Sequence, residues 1–343
     1  MFEPKFTITA KLLENVKKIG IMVSDLNKRH FSKLTLVKME RTAREVSAHS
    51  STSIEGNPLC LTDVKKLIQN RPENLRDTEK EVLNYNEALG FLNNSIKDNI
   101  VSFDEELILT IQKKVILGLI DIYNTGKLRT KPVFVNDPRI GKTIYLPPDH
   151  QDVKYLFKDL ITFVKKNKNH FDPLILAGIF HKQFVIIHPF IDGNGRTARL
   201  ATKVLLANMG LNTFNLFSFE NYYNQNVTKY FEYVGIRGNY YDLKDSIDFT
   251  SWLEYFTDGI IDELHRVTKL LEHEIISPEN ILKDYHKKMI DFINKNGMIT
   301  NSDYSRLTKR AKATRNLDFN KLIDLKLIKK HGKGKNTYYK LKD

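Results

Sequence analysis

Residues 188–199 read HPFIDGNGRTAR and pack a histidine, a carboxylate, two glycines, an asparagine and two arginines into one short stretch. Proline disfavours α-helical backbone in the residue before it, so a helix ends at His188. DGNG is loop chemistry, and the next helix opens at Gly195-Arg196. Free amides at a helix N-terminus attract anions, and glycines let a ligand approach the backbone. Arg196 and Arg199 are three apart, hence on one helix face. Two guanidiniums so placed can grip a polyphosphate. Asp192 would repel that ligand unless a divalent cation lay between carboxylate and phosphate, an arrangement magnesium favours. The chemistry implied is a metal–nucleotide complex. His188, with an ordinary pKa of about 6.5, is the candidate general base. The stretch contains no serine, cysteine or lysine. An outside hydroxyl, deprotonated by His188, would therefore attack a bound phosphate directly.

A second stretch, STSIEGNP (51–58), reads as the end of a helix, with Gly56 and Pro58 as stop signals. Glu55 in the last turn opposes the helix dipole and needs solvent or a cation.

The elements that must position these residues are mostly helical. Apolar residues recur at helical spacing over 79–96, from Asp104 to about Leu117 (with Ser102 as N-cap), and over 152–167, 173–187, 195–210 and 251–275. Gly210 is a stop signal for the fifth of these. One stretch differs: PVFV and KTIYL, separated by NDPRIG within 129–150, read as a hairpin.

The long motif resembles the signature of Fic-domain proteins, His-Pro-Phe-x-Asp/Glu-Gly-Asn-Gly/Lys-Arg-x-x-Arg, at every fixed position. That likeness implies a protein adenylyltransferase moving AMP from ATP to a Ser, Thr or Tyr hydroxyl. His188 would be the base and Asp192 would hold Mg2+. Phe190 would anchor the loop in the core. Gly193, Asn194 and Gly195 would form the anion cradle, with Arg196 on the phosphates and Arg199 on the γ-phosphate. GKLRTKPVFV followed by TIYLPP resembles the family's flap, a hairpin whose edge can align a target segment by strand addition. Tyr230 and Phe231 are similar in placement to family residues near adenine. Ser51-x-x-x-Glu55-Gly56 resembles the family's inhibitory motif, in which Glu55 would pair with Arg199 in place of the γ-phosphate. In some relatives the same glutamate serves removal of AMP, so a de-AMPylase is one alternative.

The chain has 343 residues, 41% of them hydrophobic, and a net charge of +13. That fits a folded globular protein of more than one domain. A single cysteine, Cys60, excludes an internal disulfide framework and a Cys-based zinc cluster. With no apolar run of membrane length and no leader-like N-terminus, a cytoplasmic location without membrane contact is the expectation. Residues 281–343 hold 17 Lys and Arg against 6 Asp and Glu, which leaves +11 of the +13 in the tail. That asymmetry points to an acidic partner, duplex DNA first.

Within the tail, 281–297 reads as a helix stopped by Gly297, followed by a short helix capped by Asn301 or Ser302. A third helix sends Leu317, Phe319, Leu322, Ile323 and Leu325 toward a core, and a basic hairpin follows. This order resembles a winged helix-turn-helix, with Lys312, Thr314 and Arg315 facing a groove and Lys333 and Lys335 on the wing. The fold expected is mainly α: a Fic-type helical bundle with a small β-hairpin flap, plus a C-terminal winged-helix (α+β) domain. The boundaries expected are 1–100 for an N-terminal helical region with the inhibitory helix at about 45–56, 101–275 for the catalytic core and 281–343 for the winged helix. A transferase restrained by Glu55, with self-modification among its activities, is the principal reading. A DNA-binding regulator whose Fic domain senses nucleotide is the other alternative.

Overall fold

The computed structural model describes residues 2–29, 33–97, 102–137, 142–207, 217–275, 282–325 and 327–342. The chain is mainly helical with small strand elements. In order they are α1 (Ala10–Lys28), α2 (Lys33–Ile54), α3 (Leu61–Asn70), α4 (Asp77–Lys97), α5 (Glu105–Val115), β1 (Val135–Asp137), β2 (Lys142–Leu146), α6 (His150–Asn167), α7 (Pro173–Ile187) and α8 (Asn194–Ala207). Then come α9 (Glu220–Gln225), α10 (Val227–Val234), β3 (Gly238–Asn239), α11 (Tyr240–Leu243), α12 (Thr250–Ile275), α13 (Asp284–Asn296), α14 (Asn301–Leu307), α15 (Lys312–Asp324), β4 (Ile328–His331) and β5 (Tyr338–Leu341). Two compact units form, 1–28 with 42–267 and 29–41 with 268–343. The boundary expected at residue 100 separates no units, because α4 packs on both α5 and α8 and shares their core.

The larger unit is built around α7. Its sequence, PLILAGIFHKQFVII, is apolar on nearly every face, and such a helix has to be surrounded. It packs against α6, α8 and α10. Asp172 caps it, accepting from the Leu174 amide at 2.8 Å, and Pro173 occupies the first turn, where its missing N–H costs nothing. α5 begins differently from the expectation. Asp104, not Ser102, is the N-cap, accepting from Leu107 N at 2.9 Å, because its carboxylate is three residues from that free amide. The end of α8 at Gly210 lies outside the described residues.

β1 and β2 pair antiparallel, and β2 also pairs in parallel with β3. The sheet order is β1-β2-β3, so β2 is central. The connection 138–141, within NDPRIG, lies outside the described residues. β3 has only two residues and left no periodic signal to find it by. Among the described residues no helix is long and apolar enough to cross a membrane.

The smaller unit has its own core. Met289, Ile290 and Ile293 of α13, Tyr304 of α14, Phe319 and Leu322 of α15, Ile328 and Tyr339 meet there. β4 and β5 form an antiparallel pair after α15. Gly297 ends α13 with φ 78°. Thr300, not Asn301 or Ser302, caps α14, in a reciprocal capping box with Asp303. Leu317 is 65% exposed rather than in the core. The buried face of α15 runs through Asp318 instead, which accepts from Tyr304 Oη at 2.8 Å and Arg310 Nε at 2.9 Å.

Candidate active site

His188 caps α7 with φ 51° and ψ 60°, a left-handed conformation that glycine usually takes. Its amide donates to Phe184 O at 3.0 Å, closing the helix, and Pro189 prevents continuation. Nδ1 lies 3.3 Å from Val185 O, and a carbonyl can only accept, so Nδ1 carries the proton. Nε2 is left as the basic nitrogen. Burial pushes the imidazole pKa down to about 4, Arg129 adds to that, and Glu55 and Asp192 partly oppose it. The residue as a whole is half-buried. His188 is thus neutral at ordinary pH and able to accept a proton.

The loop after it is held from inside. Phe190 is fully buried, with ring centroids 6.0 Å from Phe184 and 6.5 Å from Phe157. Asn194 Oδ1 accepts from Phe190 N, and Asn194 Nδ2 donates to Phe190 O, both at 2.9 Å. Its side-chain amide is therefore spent on the loop. Gly193 has φ 79°, which a side chain rarely tolerates. Gln112 of α5 supports the turn by donating to Asp192 O at 3.2 Å.

Arg196 and Arg199 sit in different surroundings. Arg196 Nη2 donates to Asp192 Oδ1 at 2.9 Å, and Nη1 lies 2.7 Å from Glu81 Oε1. The latter approach is off the N–H direction, so it is an ion pair without a hydrogen bond. Arg199 is fully buried and nearly saturated. Nε donates to Ser51 Oγ at 2.8 Å, and Nη2 donates to Ser51 O at 2.9 Å and Glu55 Oε1 at 2.6 Å. Burial would raise the Glu55 carboxyl, but Arg199 first, then Arg196, outweigh it and hold it below the usual range. A Cβ added at Gly195 would lie 2.1 Å from Glu55 Oε1. The carboxylate therefore rests on the first turn of α8, in the space a side chain at residue 195 would enter.

α2 meets α8 at three levels. Ser47, Ser51 and Glu55 are four apart on α2 and its end, so they share a face. Opposite them stand Lys203, Arg199 and Gly195, also four apart. Lys203 Nζ donates to Ser47 Oγ at 2.9 Å and lies 3.2 Å from Glu220 Oε2, with both charges buried. Tyr85 Oη donates to Glu220 Oε1 at 2.7 Å. Glu81, Tyr85, Lys203 and Glu220 escaped sequence reasoning. The only sign of Glu81 and Tyr85 was polar groups four apart on one side of a helix, and burial is what gives them their role.

Tyr230 and Phe231 part company. Phe231 is 42% exposed. Tyr230 is 1% exposed, in ring contact with Tyr223 at 5.0 Å, and offers a ligand almost no surface. Tyr230 is thus part of the core, and its hydroxyl faces Arg199. Thr202 Oγ1 donates to Ala198 O at 2.7 Å, so it accepts from His181 Nδ1 at 3.0 Å. His181 Nε2 is then an acceptor for Tyr230 Oη at 2.9 Å, and that oxygen accepts from Arg199 Nη1 at 3.4 Å. Burial keeps His181 neutral, well below its ordinary pKa.

Among the described residues no group of three or more His, Cys, Asp or Glu side chains could hold a metal ion. Asp192 offers one carboxylate, 50% exposed. That donor set fits magnesium, which takes one carboxylate and fills its shell with phosphate oxygens and water.

Residues 102–206 match the Fic/DOC family model. The protein adenylyltransferase Fic of Nematostella vectensis is 28% identical over 222 residues, covering 62% of this chain and 48% of that protein. Protein adenylyltransferase fic-1 of Caenorhabditis elegans is 30% identical over 182 residues, covering 51% and 34%. The chain thus spans half or less of the length of these relatives. A Fic family protein from Desulfovibrio desulfuricans G20 shares the fold with TM-score 0.67 at 21% identity, over 99% of this chain and 98% of that one. The C. elegans Fic-1 structure aligns with TM-score 0.60 at 21% identity, over 78% and 74%. The stretch from His188 to Arg199 lies inside the segment that matches the Fic/DOC family model.

Proposed function

We propose that this protein transfers AMP from ATP to a Ser, Thr or Tyr hydroxyl of a protein, and that Glu55 restrains it. The observation that carries this reading is the carboxylate of Glu55 lying on Gly195 and 2.6 Å from Arg199. An anion already occupies the helix N-terminus where a phosphate would rest. In the reaction, Nε2 of His188 takes the proton of the target hydroxyl. The oxygen bonds to the α-phosphorus as the bond to the bridging oxygen of the β-phosphate breaks, and pyrophosphate leaves. Asp192 would hold Mg2+, which offsets phosphate charge when bound. Amides of 193–195 and Arg196 would orient the phosphates, and Arg199 would hold the γ-phosphate once Glu55 withdraws. Phe231 is the exposed aromatic left for the adenine side. The relatives named protein adenylyltransferase support the same reaction.

Incubation with labelled ATP and a cell lysate tests it. The label should appear on protein, and His188→Ala should lower transfer by about 10²–10⁴-fold while ATP still binds. Transfer at the wild-type rate by that variant would reject the mechanism. Loss of Mg2+ dependence in Asp192→Ala, together with activity, is expected as well.

The smaller unit supports a second reading, contact with duplex DNA. Lys312, Lys329, Lys330, Lys333 and Lys340 are exposed on α15 and the β4–β5 hairpin. Arg315 is less available for a groove, since it donates to Asn301 Oδ1 at 3.0 Å and Arg310 O at 2.9 Å, and Thr314 is half-buried. The side chain of Lys335 lies outside the described residues. Salt-sensitive retardation of a DNA duplex by the full chain would support this reading, and none at low salt would turn it toward protein contact.

A further inference from the structure

Arg129 is only 3% exposed, and its guanidinium is met by carbonyls rather than a carboxylate. Nε donates to His188 O at 2.8 Å, Nη1 to Lys131 O at 3.2 Å and Nη2 to Pro148 O at 2.5 Å. Its own amide donates to Pro189 O at 2.9 Å. Lys131 and Pro148 bracket the β1–β2 hairpin, while His188 and Pro189 form the turn that presents the base. A second tie runs in parallel, with Tyr145 of β2 donating through its hydroxyl to Ile186 O at 2.8 Å. Burying a guanidinium is costly, and these three hydrogen bonds help offset the cost. His188 meanwhile holds a left-handed backbone that a side chain disfavours, so contacts outside the helix help fix that turn.

We propose that Arg129 is a positioning residue for His188, coupling the placement of the β1–β2 hairpin to the orientation of the base. This rests on His188 acting as the base of the transfer reaction. The planar fork of arginine reaches three carbonyls at once, which a lysine ammonium on a single stem cannot reproduce. Movement of the hairpin ends would be transmitted through Nη1 and Nη2 to the atom group that holds the His188 carbonyl. A small misplacement of a base lowers the rate without touching nucleotide binding, by up to about 100-fold for an ångström.

The test compares Arg129→Lys and Arg129→Met in the full chain, each first shown to be folded by circular dichroism and melting. Two readouts are taken: kcat and KM for ATP, and the titration and tautomer of His188 by ¹⁵N NMR of histidine-labelled protein, assigned against His188→Ala. Arg129→Lys should lower kcat about tenfold or more at unchanged KM. It should also blur the His188 tautomer while its titration stays near that of the wild type, since the charge remains. Arg129→Met should lower kcat as far or further and move the titration upward, because a positive charge facing the imidazole is gone while Glu55 and Asp192, which favour the protonated form, remain. Folded variants with wild-type kcat and a wild-type His188 spectrum would overturn the proposal. Reduced yield of folded protein, with both readouts unchanged per folded molecule, would also overturn it and leave Arg129 a stabilising residue only. If neither wild type nor variants transfer AMP, the reaction assigned above is wrong, and the NMR readout still decides whether Arg129 orients His188.

Discussion

The charges of α8 and those of the β4–β5 hairpin sit at opposite extremes of environment. Arg199 and Lys203 are buried and meet Ser51, Glu55, Ser47 and Glu220 at hydrogen-bonding or ion-pair distance. Lys329, Lys330, Lys333 and Lys340 face solvent. In the first region each cation is held in one geometry, so removing a partner leaves a charge in low dielectric. In the second the charges act as a field, and one of them can be removed at little cost to the fold. Charge density alone would have pointed to the tail. It is the buried, saturated cations that mark the site with chemistry.

That contrast can be broken most severely at Lys203. Lys203→Met leaves Glu220 buried with only Tyr85 and Ser47 as partners, and breaking a buried pair from one side costs about 3–5 kcal/mol. Urea unfolding should show a lower midpoint at unchanged slope. A double change, Lys203→Met with Glu220→Leu, should recover part of the loss. If the single variant unfolds with the wild type, the buried pair does not hold α2, α4, α8 and α9 together.

The tail should behave in the opposite way. Ala at Lys329, Lys330 and Lys333 together should leave the melting temperature essentially unchanged. If duplex DNA is the partner, log K against log salt should flatten by about 0.9 for each phosphate no longer neutralised. An unchanged slope would place the DNA-binding surface elsewhere on the chain.

Acid sharpens the comparison further. His188 and His181 both have folded pKa values below those of the unfolded chain. The unfolded state therefore binds more protons between about pH 6.5 and the folded pKa, about 4 for His188, and stability should fall as pH falls through that window. A histidine replaced at 188 should give a shallower decline of melting temperature with acid than the wild type. Parallel curves would mean that His188 is not buried enough to matter. By the same reasoning, His188 should remain an unprotonated base well below pH 6.5.

Much of this was legible in the sequence. Long amphipathic segments announced α4, α6 and α12, a nearly continuous apolar run announced α7, and the β-rich runs announced the hairpin. The fixed positions from His188 to Arg199 carried the fold family. What was illegible depended on contacts between distant segments. Tyr230 looked like a ligand-facing aromatic because an apolar ring reads the same whether a nucleotide or a core covers it. Nothing in the spacing of Asn194 reveals that its side-chain amide turns back on Phe190. Leu317 looked inward by its apolar character, whereas the buried face of α15 runs through the neighbouring Asp318. Arg129 was passed over as one base among many, since its value lies in three carbonyls far apart in the chain.

The central claim is that Glu55 occupies the anion site of α8 and competes there for Arg199. Its most direct test is the rate of AMP transfer, self-labelling included, by Glu55→Gly beside the wild type under equal ATP and Mg2+. Each ~1.4 kcal/mol that the Glu55–Arg199 pair supplies is a factor of ten in the population able to seat the γ-phosphate, so a rise of about tenfold or more is expected, and Arg199→Ala should show none. An unchanged rate would contradict the account and leave Glu55 a helix-end residue. Loss of AMP removal from a labelled target, without any gain in transfer, would contradict it too and assign the glutamate to the reverse reaction.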